Sequence, residues 1–176
     1  MPKLGIAIVG TGMIAAVPRR AALLAGAEVR GVAASSPQRA HEVAQAWNVP
    51  RAYRDIDEVV ADPQVQVVHV CTPNHLHRPM AQAALEAGKH VICEKPLATT
   101  LGDAQALASL AASSGLVATV PFVYRYHPVV REARARIAAG DLGPLHLIHG
   151  SYLQDWLLDP ASNNWRVDPV LGGTSR

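Results

Sequence analysis

Aromatic residues make up only 5% of this chain, and phenylalanine occurs once. The few aromatics gather late, at Tyr124, Tyr126, Tyr152, Trp156 and Trp165. The formal net charge is only +2, and no basic stripe interleaves with aromatic residues. Nucleic-acid binding is therefore not indicated. Cysteine is scarce too. Cys71 and Cys93 each follow a β-branched run, and they read as two buried thiols in a reducing compartment rather than as a disulfide. No run is long and apolar enough to span a membrane. The N-terminus, with Lys3 and an apolar stretch, imitates a signal peptide. Gly5, Gly10 and Gly12 interrupt that stretch, however, and Arg19-Arg20 follow where a cleavage site would want small residues, so it reads as a strand and turn of the mature protein. The expectation is a soluble, cytoplasmic protein with no membrane or nucleic-acid partner.

What the chain does have is apolar content, 49% of 176 residues. That suits one domain, or one domain and part of another. Apolar runs at Leu4–Val9, Val29–Ala33, Arg51–Tyr53, Val65–Cys71, His90–Cys93 and Leu116–Val120 read as strands. Helical patterns alternate with them at Met13–Ala25, Pro37–Trp47, Asp55–Ala61, His75–Ala87 and Leu101–Ser113. Gly26, Gly88, Gly115 and Gly140 each follow a helix and fit the left-handed position that closes one. Strand, helix and glycine stop in repetition imply right-handed crossovers and a doubly wound parallel sheet of about six strands, an α/β fold of the Rossmann kind. After Val120 the character changes. Tyr126–Ala139 reads as a helix with arginines on a solvated side, Leu145–Tyr152 as a new strand, and 155–176 as loop. The division predicted is a dinucleotide-binding domain over 1–122 and the beginning of a second domain over 123–176. A single new strand cannot bury its faces, so further chain is expected after Arg176.

Between the first strand and first helix lies Gly10-Thr11-Gly12-Met13-Ile14-Ala15. This is the G-x-G-x-x-A arrangement of dinucleotide binding. Gly10 permits the tight turn, Gly12 lets a pyrophosphate approach the backbone, and Ala15 lets the helix pack against the strand. The end of the second strand carries no carboxylate for an adenosine 2′-hydroxyl. It has Ser35 and Ser36, with Arg39 one turn later, a set that favours the 2′-phosphate of NADP while leaving NAD open. Arg39 also reads simply as a solvated helix residue. The fourth strand ends in Cys71-Thr72-Pro73-Asn74-His75-Leu76-His77. Asn74 is placed either to cap the next helix or to touch a cofactor. The His75-x-His77 pair lacks partners in ligand spacing, so no metal is expected. His90, within a strand, reads as half-buried and satisfied. Glu94-Lys95-Pro96 closes the fifth strand. Ligands sit beyond the carboxyl ends of parallel strands, so Lys95 projects toward a ligand, with Pro96 stiffening the backbone behind it.

Together these motifs resemble the glucose–fructose oxidoreductase / inositol dehydrogenase / rhizopine-catabolism (Gfo/Idh/MocA) family. Gly10-x-Gly12-x-x-Ala15, Thr72-Pro73-Asn74-x-x-His77, Ala87-Gly88-Lys89-His90-Val91, Glu94-Lys95-Pro96, Arg125-Tyr126-x-Pro128, Trp165-Arg166 and Gly172-Gly173 carry the resemblance along the whole chain. It implies a Rossmann domain followed by an α/β domain with an open, mostly antiparallel sheet, of which Leu145–Tyr152 would be the first strand. It implies an NAD(P)-dependent dehydrogenase acting on a sugar, cyclitol or related polyol, and a homo-oligomer, either dimer or tetramer. Lys95 would contact the reacting hydroxyl. Glu94 and Pro96 would border the nicotinamide, and the Lys95–Pro96 bond is often cis in relatives, which would aim the lysine. The cofactor would also meet Thr11, Met13, Ile14, Thr72, Pro73, Asn74, His77 and Arg166. Tyr152, Asp155, Trp156 and Trp165 are candidates to line the substrate site. The family's acid/base aspartate and histidine would follow Gly172-Gly173, after Arg176. Two rivals stand beside this reading: a relative that cleaves glycosides by transient oxidation, and a nicotinamide-binding module without turnover.

Overall fold

The computed structural model describes residues 3–155, 157–159, 161–162 and 164–173. Six strands alternate with helices in the order β1 (Gly5–Val9), α1 (Ala16–Leu24), β2 (Glu28–Ala33), α2 (Pro37–Trp47), β3 (Arg51–Tyr53), α3 (Ile56–Ala61), β4 (Val67–Val70), α4 (His77–Glu86), β5 (His90–Cys93), α5 (Leu101–Ser114) and β6 (Ala118–Thr119). Every pairing is parallel. The sheet order is β3-β2-β1-β4-β5-β6. The chain winds outward from β1 to β3, returns to place β4 beside β1, and winds outward the other way. That reversal opens a crevice beyond the carboxyl ends of β1 and β4. The doubly wound Rossmann-like sheet expected from the strand–helix alternation is the one observed.

β1 is apolar without alternation because both its faces are covered, and all five of its residues are buried. Ile6, Ile8, Val29 and Val32 pack on one face with Ala22, Val43 and Ala44 of α1 and α2. Ala7, Val9, Val68, Val70 and Val91 pack on the other with Ala81, Ala84, Leu85 and Leu107 of α4 and α5. Alanines on the helices let these layers approach closely, and each buried branched side chain contributes about 1.5–3 kcal/mol. Ser36, Asp55 and Thr100 cap α2, α3 and α5, their side-chain oxygens accepting the N–H groups of Arg39, Glu58 and Asp103. Gly26, Gly88, Gly115 and Gly140 all have positive φ, as their positions after helices predict. Two helix starts differ from the pattern. α1 and α4 are each entered through a 3₁₀ turn, over Met13–Ala15 and Asn74–Leu76.

The described residues up to Pro121, with those from Trp165 onward, form one compact unit. Those of Phe122–Asn164 form a second. The second unit holds a 3₁₀ turn (Val123–Tyr126) and α6 (Pro128–Ala139). The strand expected at Leu145–Tyr152 is not there: residues 145–155 carry no strand. A strand persists as part of a ladder, and no described segment pairs with this one. The open antiparallel sheet expected of a second domain is accordingly absent among the described residues.

Candidate active site

The site is built from four loops at the carboxyl edge of the sheet. Gly10 ends β1 with a φ of +92°, and a Cβ there would lie 2.6 Å from the Cys71 carbonyl carbon and 2.7 Å from the Thr72 nitrogen. Conformation and space each require glycine. Its N–H donates to the Ala33 carbonyl at 2.9 Å, tying the turn to the end of β2. Gly12 is different. Its φ of −71° suits any residue, and nothing lies within 4 Å of an added Cβ. The fold itself makes no demand for glycine at position 12. No side chain caps this helix start, and the first N–H groups of a helix lack internal partners. Such an open, uncapped start is suited to an anion. Thr11 is half-buried, Met13 and Ile14 are exposed, and Ala15 is fully buried against the sheet.

At the end of β2, Ser35 is exposed and Ser36 is the N-cap of α2. The guanidinium of Arg39 lies 3.1 Å from the Glu42 carboxylate on the solvated face.

The loop after β4 holds more structure than its motif suggests. His77 is 1% exposed. Its Nδ1 lies 2.6 Å from the Pro96 carbonyl oxygen and its Nε2 2.9 Å from that of Thr72. The ring therefore bridges the loops after β4 and β5 from beneath. The ring is buried, with each of its nitrogens facing a carbonyl. Asn74 does not cap the helix. It opens the 3₁₀ turn, no side chain caps α4, and its Nδ2 donates to the Gly172 carbonyl at 2.8 Å. The His75 N–H donates to the Leu171 carbonyl at 3.2 Å.

Trp165–Gly173 thus straps onto the β4 loop. Asp168 folds the strap, its Oδ1 accepting the N–H groups of Val170 and Leu171. Gly172 lies against the Arg166 carbonyl, and a Cβ on Gly173 would meet Thr99 at 3.1 Å. The exposed Arg166 guanidinium sits 4.4 Å from the centroid of the half-buried Trp165 ring. Thr72 Oγ1 and His75 Nδ1 are buried without a hydrogen-bond partner among the described residues. Pro73, half-buried, precedes the 3₁₀ turn.

At the end of β5 the Glu94 N–H donates to the Val70 carbonyl at 2.9 Å, extending the ladder one residue. Glu94 is half-buried and Lys95 exposed. The Lys95 ammonium has no partner among the described residues, and the Lys95–Pro96 bond is cis. His90 is satisfied, its Nδ1 accepting the Val117 N–H. Cys71 and Cys93 are free and buried. They pack into the cores on opposite faces of the sheet, which rules out a disulfide between them. Burial, reinforced by the Glu94 charge, pushes the Cys71 thiol up and the Cys93 thiol up to about 12, so without a bound partner both stay protonated at neutral pH.

The substrate-side candidates Tyr152 and Trp165 belong to different units. Tyr152 belongs to the second unit, where its hydroxyl lies 3.0 Å from that of Tyr124 and accepts from Gln154. Trp156 lies outside the described residues, and Asp155 is exposed. Sequence reading missed the strap's docking and the role of Thr99. The Gly172-Gly173 pair was the available signal, because adjacent glycines in a loop mark close backbone approach.

Residues 4–122 match the model of the Gfo/Idh/MocA oxidoreductase family, NAD-binding Rossmann fold. Among curated proteins, levoglucosan dehydrogenase of Pseudarthrobacter phenanthrenivorans is 39% identical over 144 residues, 81% of this chain and 37% of that protein. The 1,5-anhydro-D-fructose reductase of Ensifer adhaerens is 36% identical over 152 residues, 84% of this chain and 44% of that protein. Among solved structures, levoglucosan dehydrogenase in complex with NADH and levoglucosan superposes with a TM-score of 0.90 at 35% identity, covering 98% of this chain and 49% of that one. The chain therefore spans about half the length of its relatives, or less.

Proposed function

The chain belongs to the Gfo/Idh/MocA oxidoreductase family with its NAD-binding Rossmann fold, and on that premise we propose that the protein is an NAD(P)-dependent dehydrogenase of a sugar, cyclitol or related polyol. The observation that carries the reading is convergence. An uncapped helix start at Gly12 and a lysine at position 95 with no partner among the described residues lie beyond the carboxyl ends of strands in one parallel sheet.

The residues present suit a dinucleotide. The space left by Gly12 and the backbone of Thr11, Met13 and Ile14 would hold the pyrophosphate. Ser35, Ser36 and Arg39 would meet the adenosine end, which favours NADP. The orphaned Thr72 Oγ1 would find in a ribose hydroxyl the partner it lacks. Pro73, Asn74, Glu94, Pro96 and Arg166 would frame the nicotinamide end. When bound, that group supplies the hydride acceptor. The Lys95 ammonium stabilises the negative charge that develops on the substrate oxygen. The hydroxyl proton leaves through Lys95 and the acid/base group that the family resemblance assigns to the segment after Arg176. Trp165, Tyr152 and Trp156 remain the proposed substrate-side residues, and a dimer or tetramer the proposed assembly.

Relatives named for levoglucosan and 1,5-anhydro-D-fructose support the substrate class. The test is Lys95→Ala in the full-length protein. Turnover should fall by at least about 100-fold with the cofactor Kd within about threefold. An unchanged turnover number sinks the role given to Lys95.

A further inference from the structure

The parity of β4 and β5 assembles three metal-ligating side chains on one face of the sheet. Residues two apart on a strand share a face, so His69 and Cys71 point the same way. Val70 pairs with Cys93, which places Glu94 beside Cys71. One ligand atom from each of His69, Cys71 and Glu94 lies within 4.8 Å of the others. His69 is 8% exposed, and its Nε2 is buried with no hydrogen-bond partner among the described residues. A buried imidazole nitrogen left unpartnered is uncommon and calls for an explanation.

We infer that His69, Cys71 and Glu94 form a binding site for a thiophilic divalent cation of the Zn²⁺ class. Nitrogen, thiolate sulfur and carboxylate oxygen are the donors such an ion takes, at about 2.0–2.3 Å with tetrahedral geometry. That geometry sets ligand atoms about 3.3–3.8 Å apart. Ligand atoms within 4.8 Å of one another need close by no more than about 1.5 Å to reach it. Uptake displaces the Cys71 thiol proton into solution and leaves the Cys71 thiolate bound to the ion. Three protein ligands leave a fourth position for water. Because Glu94 is also proposed to border the nicotinamide, the bound ion competes with cofactor, and that part rests on the proposed function.

The test is titration of the metal-free, full-length protein with Co²⁺, read by its thiolate-to-cobalt charge-transfer absorption. One equivalent should bind with that band, and Zn²⁺ should displace it. Cys71→Ser should abolish the band, and His69→Gln should weaken binding by more than about tenfold. Cys93→Ser, on the opposite face, should leave it intact. No band in the wild type, or a band that survives Cys71→Ser, overturns the site. Circular dichroism and an unchanged cofactor Kd show that Cys71→Ser is folded. Zn²⁺ should raise the apparent cofactor Kd of the wild type but not of Cys71→Ser. If the band forms without this competition, the cation site stands and the placement of Glu94 beside the nicotinamide fails.

Discussion

Replacing Gly10 and Gly12 one at a time with alanine separates two demands that the G-x-G motif merges. At Gly10 the φ of +92° is strained for any residue with a side chain, at a cost of about 1–3 kcal/mol. The new methyl would also lie 2.6 Å from the Cys71 carbonyl carbon and oxygen, so the β4 loop must give way. Overpacking of that kind costs about 1–3 kcal/mol more. The sum, about 2–6 kcal/mol, corresponds to a drop in Tm of roughly 5–20 °C for a chain of this size. At Gly12 neither demand exists. Alanine fits a φ of −71° and meets open space. It restricts the unfolded chain, so the protein should be stabilised by about 0.4–1 kcal/mol, a rise in Tm of roughly 1–4 °C. The same methyl would fill the space proposed for the pyrophosphate, and cofactor affinity should fall by tenfold or more, about 1.4 kcal/mol. Differential scanning calorimetry reads the first quantity and isothermal titration calorimetry with NADH and NADPH the second. A Gly12→Ala protein that binds cofactor normally, or that loses stability, would refute the reasoning, and so would a Gly10→Ala protein with an unchanged Tm.

Three further perturbations test other parts of the structure. His77→Leu keeps the volume but removes the ring N–H that one of the facing Thr72 and Pro96 carbonyls accepts; at about 1–3 kcal/mol for a buried unsatisfied group, Tm should fall by roughly 2–12 °C, and His77→Gln, which retains a donor, should recover part of the loss. Arg39→Ala should weaken NADP binding by about tenfold and leave NAD binding unchanged in calorimetry; equal losses for both would remove the basis for preferring NADP. Burial pushes the Asp62 carboxyl up, but the Gln64 N–H, the Tyr53 hydroxyl and the Arg51 guanidinium outweigh it and hold the group below the usual carboxylate range. A carboxyl depressed in the folded state stabilises the fold above its unfolded pKa of about 3.9 and loses that contribution as pH falls through the folded value. Asp62→Asn should therefore lower Tm at neutral pH and flatten the acid limb of the Tm–pH curve, and an acid limb as steep as the wild type's would contradict the assignment.

The six strands and the five helices between them were legible because their signals are local. An unbroken apolar run such as Ile6–Val9 is what two covered faces require, and a glycine such as Gly115 is what a left-handed helix end requires. Gly10 and Ala15 were readable for the same reason, since turn and helix packing are decided within a few residues. Leu145–Tyr152 failed because its strand pattern says nothing of whether a partner strand lies alongside. His77 shows the other limit. Its motif marks it as important, but whether an imidazole reaches a ligand or holds two loops together depends on Pro96, 19 residues away.

By itself, then, the sequence determined the alternation of elements, the glycine turn, the lysine at a strand end and the family, because each of these is written in spacing along the chain. Tertiary structure decided what distant residues do to one another. It placed Asn74 against Gly172, 98 residues later, set Cys71 and Cys93 on opposite faces, and gathered His69, Cys71 and Glu94 through the register of two strands. Register and docking arise only when separate segments pack, and the covalent order of residues does not carry them.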